Sequence, residues 1–568
     1  MTKQFMFMIF ALLLTTSTFA EDFVAVNSYD GRDVLSAVFY ANVKDLPVKF
    51  MPSTGGSAEL LAHKVGNNHN VLLIQSTELP VSGFVENSLE NRNNTLEIYS
   101  STDGGVTNLE LAVRSGAKNF IVVDSAYSDS ALSVLAYAAA SDAYVLLANS
   151  DNIHDIDEIV ASADSIIIYG LVEAEVRDTL AKYNPETIGK GEDRYEDNVL
   201  MLERMMEDYP YNTVLVDSGN SLEESMAEAE WPVLFSGRLP PTVTYNFIKQ
   251  SAREGKLSTL MLLGNELVVP MYDLRTKIKT ELEAETGEEP KLGVIVKFGQ
   301  ATSVGGDILD LDRFNLPAYV PSLTINEIVY NAESKTIMVT VENTGDGSAY
   351  YTNEIRVTVD GADYLALYDE DVMIIDRGEK AGTEYYADLS EIESGEIAAS
   401  VITKFGYSKN ALDSWDSLSG PLLEINYVDN SDLYVQGASY NSGDGRLFIT
   451  VRNNGDEVAY FRNEVELLLG GQVTTVKGTS QSIDGTSLVV DEIPLVLSDE
   501  DLAANEEITV NMDYGAREGF LGKEATYTLP LESEGFPLWL IAILMLLLLV
   551  LLAGIIFIVS RKKKEEKK

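Results

Sequence analysis

The sequence predicts a multidomain chain with an α/β head of three repeats, two all-β sandwiches and one C-terminal transmembrane helix. Three observations carry this prediction. A unit of short apolar strands alternating with helices recurs at a period of roughly 95 residues. A strand-rich segment then occurs in two copies, and a long uncharged apolar run lies near the C-terminus.

Residues 1–20 read as a signal peptide. Lys3 precedes an apolar stretch, and small residues end at Ala20 before an acidic residue. The apolar stretch is shorter than the about 20 residues that cross a bilayer, so cleavage is favoured over a membrane helix.

The α/β head is predicted to span residues 21–313. Each copy opens with a β-branched strand that ends in a small polar turn, followed by a helix, a second strand, another helix and a third strand. The first strands begin at Phe23, Phe120 and Thr213. The equivalent polar residues at their ends are Asn27, Asp124 and Asp217. Open parallel sheets bind ligands at this edge, although none of these turns is a phosphate-binding loop.

The third copy has the most distinctive sequence, with GEDRYEDNVLMLERM from Gly191 to Met205, then VLVDSGNSLEESMA and WPVLFSGRLPPTV. These motifs resemble the cell-wall-binding repeat family of bacterial surface proteins and archaeal envelope proteins, over roughly half of the chain. The resemblance implies three flavodoxin-like or toprim-like lobes around a pseudo-threefold axis. It also implies a non-catalytic role in gripping anionic wall polymers.

Only the third copy carries the triplet Asp193-Arg194-Tyr195; the second has YSSTDGGVTN in that place. Two interpretations of the triplet stay open. Asp193 and Arg194 can cap a helix and brace neighbouring lobes through a bidentate pair. Alternatively, the three side chains contact a ligand.

Residues 321–422 and 423–531 are predicted as two β-sandwiches, because alternating strands are separated by Asn/Gly/Asp turns. The copies share V-x-N-x-G-D and then A-Y-aromatic-x-N-E, so that Asn343 matches Asn453 and Tyr350 matches Tyr460. These turns supply residues that tolerate positive φ. Both segments resemble cell-adhesion-related immunoglobulin-like (CARDB-type) domains, which implies a spacer or stalk.

Residues 537–560 contain no charge and are long enough to span a bilayer. The basic residues of the tail, 561–568, predict its cytoplasmic location. The sequence therefore predicts a single-pass type I membrane protein with an extracellular ectodomain.

Composition narrows the class of protein. The net charge is −48, from 89 acidic and 41 basic residues, so nucleic acid is excluded as a partner. The absence of cysteine excludes disulfides and thiolate chemistry and favours a prokaryotic source. An archaeon is favoured over a bacterium, in which such a tail more often carries a sorting motif.

Few residues suggest catalysis, metal binding or modification. The chain has three histidines and no nucleophile motif, so we expect no enzyme and no catalytic residue. Asp307, Asp310 and Asp312 offer oxygen ligands for Ca²⁺, or else form an acidic connector, and the sequence suggests no other cofactor. Asn93 begins the sequon Asn93-Asn94-Thr95, a candidate glycosylation site.

The predicted function is a non-enzymatic structural component of a prokaryotic envelope or surface layer. Its partners would be the membrane, through the C-terminal helix, and other envelope proteins or further copies of itself. The alternative is a low-copy adhesin or receptor whose head binds a surface polysaccharide or small ligand.

Overall fold

The structure, a computed structural model, describes residues 20–52, 57–236, 239–297, 300–301, 308–309, 313–316, 320–392, 394–442, 445–469, 472–495 and 497–534. An N-terminal α/β region with parallel sheets precedes a C-terminal all-β region, as predicted. The chain forms two compact units that divide after Tyr427. Within the described ranges, no helix is long and apolar enough to cross a membrane. The predicted span and tail, and the signal peptide up to residue 19, lie outside these ranges.

Lobe 1 is a four-stranded parallel sheet of order β2-β1-β3-β4. Its elements are β1 (Phe23–Asn27), α1 (Gly31–Val43), β2 (Val48–Phe50), α2 (Ala58–Val65), β3 (Asn70–Ser76), α3 (Val85–Glu90) and β4 (Thr95–Ser101). Successive residues of β1 are all buried because the sheet is covered on both faces. Val24 and Val26 belong to one apolar cluster, and Phe23 and Ala25 to another.

Lobe 2 repeats this topology with the strand order β6-β5-β7-β8. Its elements are α4 (Gly104–Ser115), β5 (Asn119–Asp124), α5 (Ser128–Ala140), β6 (Ala143–Ala148), α6 (Ile153–Val160), β7 (Ser165–Tyr169), α7 (Ala174–Leu180), a 3₁₀ turn (Ala181–Tyr183) and β8 (Glu186–Ile188). The order matches the first four strands of a flavodoxin-like sheet, 2-1-3-4.

Lobe 3 has the parallel order β11-β9-β12-β13. Its elements are α8 (Arg194–Asp208), β9 (Thr213–Asp217), β10 (Ser221–Glu223), α9 (Glu224–Ala227), β11 (Val233–Phe235), α10 (Thr242–Arg253), β12 (Thr259–Leu263), a 3₁₀ turn (Asn265–Leu267), α11 (Val268–Thr286) and β13 (Gly293–Lys297). Two short antiparallel pairs follow: β14 (Gln300–Ala301) with β15 (Ile308–Leu309), and β16 (Arg313–Asn315) with β10.

The fourth strand of each lobe was not expected from the sequence. In β4 the residues are mostly partly or fully exposed, so the strand lacks the apolar run that marks the first three strands of the lobe. The helix expected after β9 is also reduced to the four residues of α9, because β10 takes the residues before it.

The three lobes share one apolar core. A single cluster of buried side chains draws on all three sheets and on α1, α5 and α8. Phe314 of β16 packs edge-on against Phe50 of β2, with ring centroids 6.3 Å apart, and so joins the end of the head to its beginning. This continuous core follows from the small size of each lobe, which cannot bury enough apolar surface alone.

Two buried asparagines fix the lobes to one another at equivalent positions. In α4, Asn108 donates to Val145 O at 3.0 Å and to Ser36 Oγ at 3.1 Å, and accepts from Leu147 N at 2.9 Å. Each amide therefore ties the helix that opens one lobe to an edge strand of its own sheet and to the preceding lobe.

In α8, Asn198 makes the matching set of hydrogen bonds. It donates to Val233 O at 2.9 Å and to Ser133 Oγ at 2.7 Å, and accepts from Phe235 N at 2.8 Å. The amide satisfies backbone groups that would otherwise be buried without partners.

The first sandwich has two sheets, β22-β18-β17-β25 and β20-β19-β23-β24, with β21 paired to β19. Its strands are β17 (Leu323–Asn331), β18 (Thr336–Asn343), β19 (Ala349–Val359), β20 (Ala362–Tyr368), β21 (Met373–Ile375), β22 (Lys380–Tyr386), β23 (Ile397–Gly406), β24 (Ser414–Pro421) and β25 (Leu423–Ile425). Strand β25 lies beyond the boundary expected at residue 422, because it pairs in parallel with β17.

The second sandwich has the strand order β29-β28-β32-β33-β26-β27-β31, with β30 paired to β28. Its elements are β26 (Leu433–Asn441), β27 (Arg446–Asn453), β28 (Ala459–Leu469), β29 (Gln472–Lys477), β30 (Gln481–Ile483), β31 (Leu488–Pro494), α12 (Asp499–Ala504), β32 (Glu507–Gly515) and β33 (Lys523–Glu534). The long strand β33 pairs with both β32 and β26.

The shared Asn-x-Gly turns are held by side-chain hydrogen bonds. Asn343 accepts from Gly345 N at 2.9 Å and donates to Ile375 O at 3.0 Å. Asn453 accepts from Gly455 N at 2.8 Å and donates to Ile483 O at 3.2 Å. Neither glycine has a positive φ, so these turns do not use the conformational freedom of glycine. The asparagine recurs because its amide organises the turn.

The Asn198→Ala substitution should lower the free energy of unfolding by about 3 kcal/mol, because it leaves buried backbone groups of β11 unpaired. Glu203→Ala, at an exposed position of the same helix, is the control and should change stability by less than about 0.5 kcal/mol. Chemical denaturation of both variants checks this. Equal stability of the two would show that Asn198 does not tie the lobes together.

Candidate functional site

The polar residues that end β1, β5 and β9 lie at the carboxyl edges of the three sheets. In lobe 1, Asn27 donates to Ser82 O at 2.8 Å and to Gln75 Oε1 at 2.9 Å, and accepts from Ser82 N at 3.0 Å. The amide therefore holds the loop after β3 rather than offering free polar atoms.

In lobe 2, Asp124 is buried, and its Oδ1 accepts from Ala126 N at 2.9 Å. The other carboxylate oxygen has no hydrogen-bond partner. Desolvation raises the pKa of Asp124 to about 8, helped by the negative charges of Glu173 and Asp376. Asp124 thus holds the turn after β5, although burial disfavours the charged form of its carboxylate.

In lobe 3, the buried Asp217 accepts from Gly219 N at 2.8 Å. Desolvation raises its pKa to about 6, and the positive charge of Arg313 opposes this shift. Asp124 and Asp217 therefore organise the turns that follow their own strands, whereas Asn27 holds the loop after β3.

The carboxyl edge of lobe 2 is covered by the first sandwich. The Tyr127 hydroxyl donates to Ser348 O at 2.6 Å, and Tyr127, Leu171 and Tyr350 form a buried apolar cluster across the contact. Arg377 of the sandwich lies 3.0 Å from Asp151 of the lobe. The edge at which a ligand was expected is used for docking the sandwich.

A second buried carboxylate lies at this contact. Glu173 accepts from Ser150 N at 2.7 Å through Oε2, and its Oε1 has no hydrogen-bond partner. Desolvation raises the pKa of Glu173, and Asp376 raises it further while Arg377 lowers it. Acidic groups from both sides of the contact therefore destabilise one another's charged forms.

Asp193 is the N-cap of α8. Its side chain accepts from Tyr195 N at 2.8 Å and from Glu196 N at 3.4 Å, so it satisfies amides that a helix start leaves unpaired. The preceding backbone is held by the first sandwich, since Glu192 O accepts from Lys409 N at 2.9 Å and from Ser408 Oγ at 2.6 Å.

Arg194 joins two lobes and the sandwich. Its guanidinium pairs with Asp129 of lobe 2 at 3.2 Å and donates to Ser218 O of lobe 3 at 3.4 Å. It lies over the ring of Tyr195, 4.8 Å from the centroid, and over Tyr407 of the sandwich at 5.4 Å. The pairing with Asp129 is a single ion pair, whereas a bidentate one was expected.

A small cavity of about 20 Å³ lies beside this guanidinium, lined by Asp129, Tyr169, Arg194, Phe235 and Tyr407, among others. That volume accommodates about one water molecule. Arg194 therefore borders a space too small for a sugar.

The junction between lobes 1 and 2 places its arginine in the other lobe. Arg32 of lobe 1 stands at the position equivalent to Asp129 of lobe 2. Asp103 caps α4 as Asp193 caps α8, but glycine follows it. A Cβ at Gly104 would lie 2.7 Å from the Cβ of Arg32, which pairs with Asp103 at 3.4 Å. The arginine is thus supplied by the preceding lobe, which accounts for the missing triplet in the second copy.

The junction between lobes 3 and 1 is closed by two lysines. Lys49 of β2 and Lys64 of α2 both pair with Glu224 of α9, the latter at 3.0 Å. These charges lower the pKa of Glu224 against the desolvation that raises it. The three lobes therefore make contacts in a closed ring.

The remaining candidate residues lie elsewhere. Asn93 is exposed in the turn between α3 and β4, with a φ of 59°, so its side chain is accessible. Asp307, Asp310 and Asp312 lie outside the described residues. Over the described ranges, no group of three or more acidic or histidine side chains is placed to hold a metal ion.

Sequence reasoning missed three residues at these contacts: Asp129, Tyr407 and Glu173. Aligning Asp129 with Arg32 in the repeat is the one signal that would have drawn attention to a charged junction. Tyr407 and Glu173 carry no such signal, because their role depends on a contact between domains distant in sequence.

Comparisons with known proteins give a limited result. No family model matches the chain, and no curated protein matches it. Among solved structures it is similar to Cwp8 from Clostridium difficile, with 18% identity, a TM-score of 0.37, and coverage of 45% of this chain and 47% of that one. Cwp6 from the same organism gives 16% identity, a TM-score of 0.34, and coverage of 43% and 41%. The chain thus spans less than half the length of each.

Arg194→Ala should destabilise the head by about 3 kcal/mol, because it leaves the half-buried Asp129 without its partner. Arg194→Lys should rescue little, since an ammonium cannot stack on two tyrosine rings as a guanidinium does. The control is Arg204→Ala in the same helix, whose ion pairs are more exposed and are expected to contribute less than about 1 kcal/mol. Thermal denaturation would contradict the assignment if the Arg194 and Arg204 variants behaved alike.

Stability should fall as pH rises from about 4 to about 8, because Asp124 keeps its proton when folded and loses it when unfolded. Asp124→Asn, which retains an acceptor for Ala126 N, should reduce the loss of Tm between pH 5 and pH 8. Asp142→Asn, an exposed position, is the matched control. An unchanged pH profile in Asp124→Asn would contradict the buried-carboxylate argument.

Proposed function

We propose that this chain is a non-enzymatic structural protein of a prokaryotic cell surface, anchored in the membrane by residues 537–560 and assembled into an envelope or surface layer. The membrane anchor, the extracellular side of the ectodomain and an archaeal source are part of this proposal. Their support is the sequence: the apolar run, the basic tail and the predicted signal peptide.

One observation carries the proposal of a structural role. The residues repeated at the carboxyl edges, together with Asp193 and Arg194, are engaged in turns, helix caps and contacts between domains. In a ligand-binding α/β lobe, polar groups at this edge would converge on an accessible pocket. Here the edge of lobe 2 is covered by the first sandwich, which favours a rigid scaffold.

The composition is consistent with that scaffold. An excess of 48 negative charges keeps a crowded surface protein soluble and repels anionic polymers. Ca²⁺ at residues 307–312 remains a prediction, and a bridging cation there would reduce repulsion between neighbouring copies.

The alternative, a low-copy adhesin or receptor, is favoured by the carboxyl edge of lobe 1. Exposed apolar side chains gather there: Tyr29, Leu79 and Phe84 are 49%, 54% and 71% exposed. Tyr29 N donates to Leu79 O at 2.8 Å, so two of these residues are adjacent. Aromatic rings on an exposed edge suit a sugar or peptide partner.

The two functions predict different amounts of protein and different envelopes. A structural layer requires a dominant band in whole-cell lysate, and deletion of the gene should remove or alter ordered arrays in electron micrographs of the envelope. A trace band together with an unchanged array after deletion would contradict the structural role and favour the receptor. Deletion with restoration of the full-length gene is the control.

A further inference from the structure

The contact between lobe 2 and the first sandwich buries two carboxylates that lack a full set of hydrogen bonds. Asp124, at the end of β5, is 1% exposed, and Glu173, just before α7, is 4% exposed. One oxygen of each, Oδ2 of Asp124 and Oε1 of Glu173, has no hydrogen-bond partner. A buried carboxylate keeps its charge only when hydrogen bonds or a cation compensate for its lost hydration. These two groups are therefore poorly suited to carry a negative charge while the contact is closed.

The charged groups that face the two carboxylates are mostly acidic. The negative charges of Glu173 and Asp376 act on Asp124, and that of Asp376 also acts on Glu173. Asp376 belongs to the sandwich, in the loop between β21 and β22. Its neighbour Arg377 favours the charged form of Glu173, but Arg377 also pairs with Asp151 at 3.0 Å and is partly exposed. Closing the contact therefore brings acidic groups of both domains together.

The wider surroundings do not reverse this charge. The remaining charged groups near the contact are Asp129 with Arg194, Lys409 with Glu192, Arg177 beside Tyr350, and Glu175 beside Asp178. Burial and its acidic neighbours raise the pKa of Glu175 to about 7. The groups named at this contact thus carry more negative than positive charge.

The closed contact is held by a small apolar cluster and a few polar bonds. Tyr127, Leu171 and Tyr350 form a cluster that is separate from the core of the head and from that of the sandwich. The Tyr127 hydroxyl donates to Ser348 O at 2.6 Å. Domains joined by a contact of limited size can move apart while each keeps its own core. This contact can therefore open without unfolding either the head or the sandwich.

We propose that this contact is a proton-controlled hinge, closed while Asp124 and Glu173 hold protons and open once they ionise. In the open state both carboxylates regain hydration, so they bind protons less strongly than in the closed state. Rising pH therefore favours opening until it passes the closed-state pKa of Asp124, about 8. Opening also uncovers the carboxyl edge of lobe 2, where parallel sheets commonly bind ligands. The hinge does not depend on assembly into a layer, so it can fail while the proposed function stands.

The test uses the full-length chain with two fluorescent labels, one on each side of the contact. The chain has no cysteine, so Glu158→Cys in α6 and Ser417→Cys in β24, both exposed, provide specific attachment sites. Energy transfer should show one closed distance at pH 5 and an open fraction that grows up to about pH 8. The ratio of open to closed molecules should rise by up to about tenfold per pH unit for each carboxylate that ionises. Circular dichroism should not change over this range.

Amide variants identify the groups that control the hinge. Asp124→Asn combined with Glu173→Gln should keep the contact closed at pH 8, because amides do not ionise and the asparagine still accepts from Ala126 N. The matched control is Asp142→Asn combined with Glu203→Gln, which removes two charges at exposed positions. This control should open over the same pH range as the unaltered chain.

A third variant weakens the closed state directly. Tyr127→Phe loses the hydroxyl bond to Ser348, so its contact should open at a lower pH than that of the unaltered chain.

Three outcomes would overturn the inference. An unchanged distance from pH 5 to pH 9, in the unaltered chain and in Tyr127→Phe alike, would show that the contact does not open. Equal opening of the amide variant and its control would show that other groups govern the contact. A change in distance accompanied by loss of the circular dichroism signal would indicate unfolding instead of a hinge.

Discussion

The buried guanidinium of Arg194 is the interaction on which the arrangement of lobes 2 and 3 and the first sandwich depends. It pairs with Asp129 of lobe 2, donates to Ser218 of lobe 3 and lies over Tyr407 of the sandwich. One arginine can contact three parts of the chain at once because its planar guanidinium both donates hydrogen bonds and stacks on aromatic rings. Burial costs the charge its hydration, and these contacts offset that cost.

The two junctions between successive lobes differ in which lobe supplies the arginine. At the junction between lobes 1 and 2, Arg32 of lobe 1 lies against the glycine at position 104 of lobe 2. At the junction between lobes 2 and 3, Asp129 of lobe 2 pairs with Arg194 of lobe 3. The arginine therefore comes from the preceding lobe at the first junction and from the following lobe at the second. The glycine leaves room for the arginine of the preceding lobe. The buried amides of Asn108 and Asn198 keep the same bonds in both junctions because the backbone groups that they satisfy do not vary.

The docked edge of lobe 2 carries an electrostatic cost. Asp124 and Glu173 are buried with one unpaired oxygen each, beside Asp376 of the sandwich. The apolar cluster of Tyr127 and Tyr350, with the hydroxyl bond to Ser348, offsets that cost. A site that tolerates buried carboxylates in order to hold two domains together is consistent with a scaffold whose shape matters more than its local stability.

The sequence by itself determined the order of the domains, the first three strands of each lobe and the two sandwiches, because apolar runs and turn residues are local signals. It also picked out Asp124 and Asp217 through their repeated positions, and Asp193 and Arg194 through the motif of the third copy. Tertiary structure alone decided that β4 and its equivalents extend each sheet and that β25 belongs to the first sandwich. It alone showed that the predicted ligand edge of lobe 2 is covered, because the contact of Tyr127 with Ser348 joins residues more than 200 positions apart. No local pattern encodes such a contact, since it depends on how separately folded surfaces meet.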